Sequence, residues 1–362
     1  MPDFRVPLQS PQPNCERFVR VLLGKEHSDR PPLVEYIVDP VVWKPILTGM
    51  MGREWVQPGA DRESQAAFYD NFIAFWQHMG YDFVRLEIAL AFSSHGTVTD
   101  DTAPGVEGKR GWRDYHRGMI TNWDEFESYP WPKLEDMDFF PVEYVNNHLP
   151  AGMGLISSHG GGMFEHLSSI MSYEPLCFAL LEQPDLVRAV TDRIGALMEA
   201  YYRHLLTLDR LIVLFPGDDM GFRTATLISP EHLKQYTLPW HKRFRDMAHE
   251  RGIPYFLHSC GNLEAIMPHL IDEVGIDGKH SYEDAIVPVA EMQRRYGDRI
   301  AILGGVDVDV LTRAEPEGLR KYVRGILDEC APKGRYAIGS GNSIPSYIPV
   351  QNYLTMVDEA LR

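Results

Sequence analysis

Short apolar runs of β character alternate along the chain with longer stretches of helical period. Eight runs read as strands: Leu33–Val38, Phe83–Ile88, Gly154–Ser158, Leu211–Phe215, Pro254–His258, Gly275–Lys279, Ile300–Gly304 and Tyr336–Gly339. Between them lie predicted helices. Arg62–His78 is apolar at Ala67, Phe68, Phe72, Phe75 and Trp76. Pro184–Leu206 and Pro230–Arg251 each open near a proline suited to a first turn. Glu264–Glu273, Val287–Tyr296, Glu315–Glu329 and Val350–Leu361 complete the set. Gly252, Gly275 and Gly297 follow helices, where a left-handed glycine is expected. The pattern predicts an α/β fold, and eight strands are the number that closes a (β/α)8 TIM barrel.

One segment breaks the alternation. Residues 91–153, after the second strand, are long for a connection between a strand and a helix. They carry Gly96, Gly105, Gly108 and Gly111, with Arg110, Arg113 and Arg117. This stretch reads as an insertion in a single barrel domain spanning 1–362: either a lid over the mouth or a surface excursion.

Composition narrows the function. The net charge of −16, with no local run of Lys and Arg, argues against nucleic-acid binding. No apolar stretch approaches the roughly 20 residues that span a bilayer. The segment 1–14 is proline-rich and polar, unlike a signal peptide. Four widely spaced cysteines suggest no disulfide framework, so a reducing, cytoplasmic setting is expected. Cys15, Cys177 and Cys330 fall in helical contexts and read as buried small hydrophobes.

A TIM barrel carries its chemistry at the C-terminal ends of its strands. There the chain offers Glu35, then Arg85 and Glu87, then His159 before three glycines. Next come Asp218-Asp219, His258-Ser259-Cys260, His280, Asp307 and Asn342. In a strand, His258 and Cys260 project on the same side, and imidazole and thiolate are common zinc ligands. His280 ends the next strand and is the expected third ligand, leaving an open position for catalysis. The bland alternative is a core histidine beside a buried thiol. Asp219, Glu35 and His159 are candidate catalytic groups. Arg85, Glu87, Asp307 and Asn342 are candidate substrate contacts, although Arg85 and Glu87 also read as a neutralising pair inside the barrel.

Gly217-Asp218-Asp219-Met220-Gly221, Ile228-Ser229-Pro230, His258-Ser259-Cys260-Gly261 and Gly341-Asn342-Ser343-Ile344 together resemble the uroporphyrinogen decarboxylase superfamily. The branch most similar is that of the corrinoid-linked methyltransferases. The resemblance implies a TIM barrel, a zinc-dependent transfer of methyl between a small substrate and methylcobalamin, and a corrinoid carried by a separate protein. It also implies a monomer or homodimer. True uroporphyrinogen decarboxylases carry an arginine-rich motif near the first strand; here 33–39 holds Glu35 and Asp39 and no arginine. The methyltransferases add a second cysteine about eighty residues after His-x-Cys. Here that place is Asn342, or Ser340. Two further readings stay open: a decarboxylase or lyase of a small carboxylic acid, with Arg85 or the arginines of 110–117 holding the carboxylate, and a non-catalytic ligand-binding barrel.

Overall fold

The computed structural model describes residues 4–100 and 109–362. Gly105 and Gly108 lie outside the described residues, as do the side chains of Arg110 and Arg113.

Parallel pairing runs through the predicted strands. Phe83–Ile88 pairs with Gly154–His159, which pairs with Leu211–Leu214. Bridges from Leu214 to Tyr255 and from Gly217 to His258 carry the pairing across to Phe256–His258. Gly278–His280, Ala301–Leu303 and Tyr336–Ala337 follow in order. The segment 33–38 bridges the last strand from Leu33 to Ile338, and Val38 bridges Ile344. Segments 33–38 and 83–88 meet through side chains: the Arg85 guanidinium lies 3.4 Å from the Tyr36 ring centroid. This is the (β/α)8 barrel that the alternation predicts.

The core has two layers. Inside the barrel, Phe215 packs edge-on against Tyr36 at 5.2 Å and against Phe256 at 5.8 Å. Outside it, Trp43, Phe75, Trp76 and Tyr353 fill the space between strands and helices, all nearly fully buried.

Helix Arg62–His78 forms as its spacing predicts. The expected helix 230–251 is two, Pro230–Tyr236 and Leu238–Glu250. Pro239 explains the break, because it lacks a backbone N–H and crowds the preceding turn. Ser229 caps the first of them through the His232 N–H. Gly252 and Gly275 are left-handed as expected, with φ of +70° and +76°. Gly297 is not: its φ is −61°. What its lack of a side chain permits is close approach, since a Cβ there would sit 2.6 Å from the Gln293 carbonyl. Helices Cys15–Leu22 and Tyr173–Glu182 bear out the helical contexts of Cys15 and Cys177, whereas Met163–Ile170 and Val308–Arg313 were not predicted. Cys330 is buried, whereas Cys15 and Cys177 are half-buried.

Within 91–153 an antiparallel hairpin pairs Gly96–Asp100 with Lys109–Arg113. Helix Phe140–His148 packs against Arg62–His78 and strand Phe83–Ile88, as a barrel helix does. Among the described residues no helix is long and apolar enough to cross a membrane.

Candidate metal centre

The barrel register sets His258 beside His280 at the ends of neighbouring strands. After His258 the chain turns through Ser259 to Cys260, whose N–H donates to Asp219 Oδ1 at 2.8 Å. That bond draws the fourth and fifth strand ends together. Asp219, His258 and Cys260 each present one donor atom, and these atoms lie within 4.8 Å of one another. His258 Nε2 is 3.5 Å from the Cys260 sulfur and 3.7 Å from Asp219 Oδ1.

The electrostatics suit a cation. Burial, and then His280, Lys279 and Arg85, hold His258 well below the ordinary histidine pKa, so it is neutral. Burial and the Asp219 charge push the Cys260 thiol up to about 12. A divalent cation would displace that proton, since thiolate, imidazole and carboxylate are all zinc ligands. The residues therefore fit zinc. Asn342 Nδ2 donates to the Cys260 sulfur at 3.1 Å.

His280 is not in the donor group. Its Nδ1 faces His258 Nδ1 at 2.7 Å and its Nε2 faces the Ser340 carbonyl at 3.0 Å, so both ring nitrogens are engaged. Asp219, rather than His280, completes the three-atom group with His258 and Cys260.

The remaining expectations fall elsewhere. Glu35 is fully buried and accepts from Ser340 N–H and Oγ–H, both at 2.7 Å, so it anchors the last strand rather than facing substrate. His159 is buried: Nε2 accepts from the Leu90 N–H at 2.8 Å, and Nδ1 faces the Gly161 carbonyl at 3.2 Å. Burial pulls its pKa down to about 4, which removes it as a base near neutrality. Arg85 is 3% exposed and bonded to Glu87 at 2.6 Å, so the pair is the internal neutralising one. Asp307 caps helix Val308–Arg313 through Oδ1 and accepts the Asp284 N–H through Oδ2.

Sequence reasoning missed several supports. Tyr36 stacks on the His258 ring at 4.0 Å and 14°. Buried Lys279 donates to the carbonyls of Ser259 and Ser281, tying the two strand ends together. Asp218 is fully buried, bonded to His241 Nε2 at 2.7 Å and to the Phe164 and Glu165 N–H groups. No local pattern announces these contacts, because all but the Lys279–Ser281 bond join positions distant in sequence.

Two cavities adjoin the centre. One of about 730 Å³ includes Asp219, Phe164, Tyr173 and Phe222 in its lining. Another of about 750 Å³ includes Asn342, Glu283 and Asp307.

The uroporphyrinogen decarboxylase (URO-D) family profile matches residues 120–362. This chain belongs to the uroporphyrinogen decarboxylase family. The methylated-thiol–coenzyme M methyltransferase of Methanosarcina mazei is 29% identical over 170 residues, which span 46% of this chain and 41% of that protein. The chain thus matches less than half the length of that relative. The uroporphyrinogen decarboxylase of Alcanivorax borkumensis is 22% identical over an alignment of 368 residues, covering 95% of this chain and 96% of that one. The solved structure of a methyltransferase from Methanosarcina mazei superposes with a TM-score of 0.70 at 16% identity, covering 96% of this chain and 98% of that one. That likeness is one of fold.

Proposed function

We propose that this URO-D family chain is a zinc-dependent methyltransferase, moving a methyl group between a small substrate and a corrinoid carried by a separate protein. The observation that carries this reading is the convergence of Asp219, His258 and Cys260 within 4.8 Å at the barrel mouth. The partial likeness to a methyltransferase supports it. Bound zinc would supply Lewis acidity that lowers the pKa of a substrate heteroatom.

The chain's own residues do the rest. Asp219, His258 and Cys260 give three ligands and leave a tetrahedral position open to substrate. Asn342 withdraws electron density from the sulfur by hydrogen bonding to it. Lys279 and the Asp219–Cys260 bond hold the donors in place before anything binds. One cavity reaches Asp219 and another reaches Asn342, which suits a reaction that brings a donor and an acceptor to one centre. Gly111, Asp114 and Tyr115, from the proposed lid 91–153, line the first of them. A reducing cytoplasm suits a thiolate ligand.

Decarboxylation of a small acid is the second reading, favoured by the full-length likeness to uroporphyrinogen decarboxylases. It lacks a free arginine where the sequence offered Arg85, which is spent on Glu87.

Metal content by mass spectrometry tests the choice. About one zinc per chain is expected, lost in Cys260→Ala and Asp219→Ala, with zinc-dependent demethylation of methylcobalamin in the presence of an acceptor. Native protein without zinc, or carbon dioxide release from small acids without cobalamin, would overturn it.

A further inference from the structure

We propose that His280 is a positioning residue that fixes which nitrogen of His258 carries the proton, and so keeps His258 Nε2 free to bind metal. This rests on the reading of Asp219, His258 and Cys260 as the metal donors.

Donors and acceptors along one line of contacts fix where the protons sit. The Ser340 carbonyl can only accept, so His280 Nε2, 3.0 Å away, carries a proton and donates it. A neutral His280 then has a bare Nδ1, which can only accept. His258 Nδ1 lies 2.7 Å from it and must be the donor. A neutral His258 with its proton on Nδ1 has its lone pair on Nε2. That nitrogen is the one beside the Cys260 sulfur and Asp219 Oδ1. A second proton on His280 would reverse the order, but it would set a buried positive charge among Arg85 and Lys279.

The line is held at both ends. Ser340 donates its N–H and its hydroxyl to the two oxygens of Glu35, which orients its carbonyl. Tyr36 stacks on the His258 ring and keeps its plane. Gly304, with φ +79°, leaves the needed room: a Cβ there would sit 2.8 Å from His280 Nε2 and 2.1 Å from the Ser340 carbonyl oxygen. The chain therefore gives up a side chain where the relay passes. An outer histidine orienting an inner one does for a metal what a carboxylate or carbonyl partner ordinarily does.

The test uses full-length protein, zinc ion as the probe, and two variants of matched size. In His280→Asn the amide oxygen replaces Nδ1 as an acceptor; in His280→Leu nothing does. Chelator competition should show zinc affinity weakened about 10–100-fold in His280→Leu but within about threefold of wild type in His280→Asn. In metal-free, ¹⁵N-histidine-labelled wild type, NMR should show the His258 proton on Nδ1, its signals assigned by their loss in His258→Gln. Equal zinc affinity in wild type and His280→Leu would overturn the proposal, and so would a proton on His258 Nε2. If His280→Leu does not fold, the wild-type spectrum and the Asn variant still decide. If wild type binds no zinc, the metal reading fails, while the spectrum separately decides what His280 does.

Discussion

The side-chain amide of Asn342 donates a hydrogen bond to the sulfur of Cys260 at 3.1 Å, across 82 positions of sequence. The resemblance to the corrinoid-linked methyltransferases implies a second cysteine at this place or at Ser340. On the proposed reading of Asp219 as the third donor, the set would keep two negative ligands but trade a soft thiolate for a hard carboxylate.

Asn342→Cys should therefore add a fourth protein ligand and close the open position. Zinc should bind at least about tenfold more tightly, while methyl transfer falls. Cobalt substitution reads this directly, because sulfur-to-metal charge transfer should rise with the second thiolate. An unchanged cobalt spectrum would show that residue 342 does not reach the metal.

Neighbouring acids have separable roles. Asp218 is buried against His241 and two backbone N–H groups, whereas the Asp219 side chain is 42% exposed beside His258. Asp218→Ala should cost about 3–5 kcal/mol, since it leaves a buried partner unpaired. Asp219→Ala should cost only about 1 kcal/mol, the one hydrogen bond to the Cys260 N–H, yet abolish zinc binding. Urea unfolding and zinc stoichiometry on both variants check this. The reverse pattern would exchange their roles.

Glu35 should leave a mark on stability against pH. Burial raises its carboxyl to about 8, whereas in the unfolded chain it titrates near about 4.3. Between those values the folded state holds a proton that the unfolded state has lost, so stability falls as pH rises. Buried His159 and His280, held down to about 4 and about 3, act with the opposite sign, but only below about pH 6.5. Lys279, lowered to about 8, acts with that same opposite sign above pH 8. His116, raised by its bond to Glu174, adds a shallow fall above about pH 6.5 to both proteins. From about pH 6.5 to 8, then, denaturation midpoints should fall more steeply in wild type than in Glu35→Gln. Parallel slopes for the two proteins would refute the assignment.

Barrel closure hangs on a glycine. A Cβ at Gly339 would lie 1.7 Å from the Val34 carbonyl oxygen, where the first and last strands meet. Gly339→Ala should cost more than about 3 kcal/mol or prevent folding, because backbone rather than a flexible side chain must give way. Gly318→Ala, on helix Pro316–Cys330 with nothing within 4 Å, should instead stabilise by about 0.5–1 kcal/mol. Thermal unfolding of the pair tests both signs.

The sequence alone determined the barrel. Alternating strand and helix periods are local, and each of the eight strands could be read within a dozen residues. It also pointed to two of the three candidate donors, because His258 and Cys260 sit two apart at one strand end, where β geometry points them the same way. It could not show that Gly162–Met163 opens a helix on Asp218, or that Pro239 divides one helix into two.

Only the tertiary structure separates the candidates for a third donor. Asp219 and His280 both end strands near His258, and their spacing along the chain favours neither. What separates them is direction: Asp219 turns toward the Cys260 N–H, while His280 spends both nitrogens on His258 and Ser340. The same holds for Glu35, His159 and Arg85. His159 ends its strand and Glu35 and Arg85 lie midway along theirs, but burial and a committed partner make each a support rather than a reacting group. A sequence names which groups are present; whether one of them still has a free lone pair depends on partners that only folding brings within hydrogen-bonding distance.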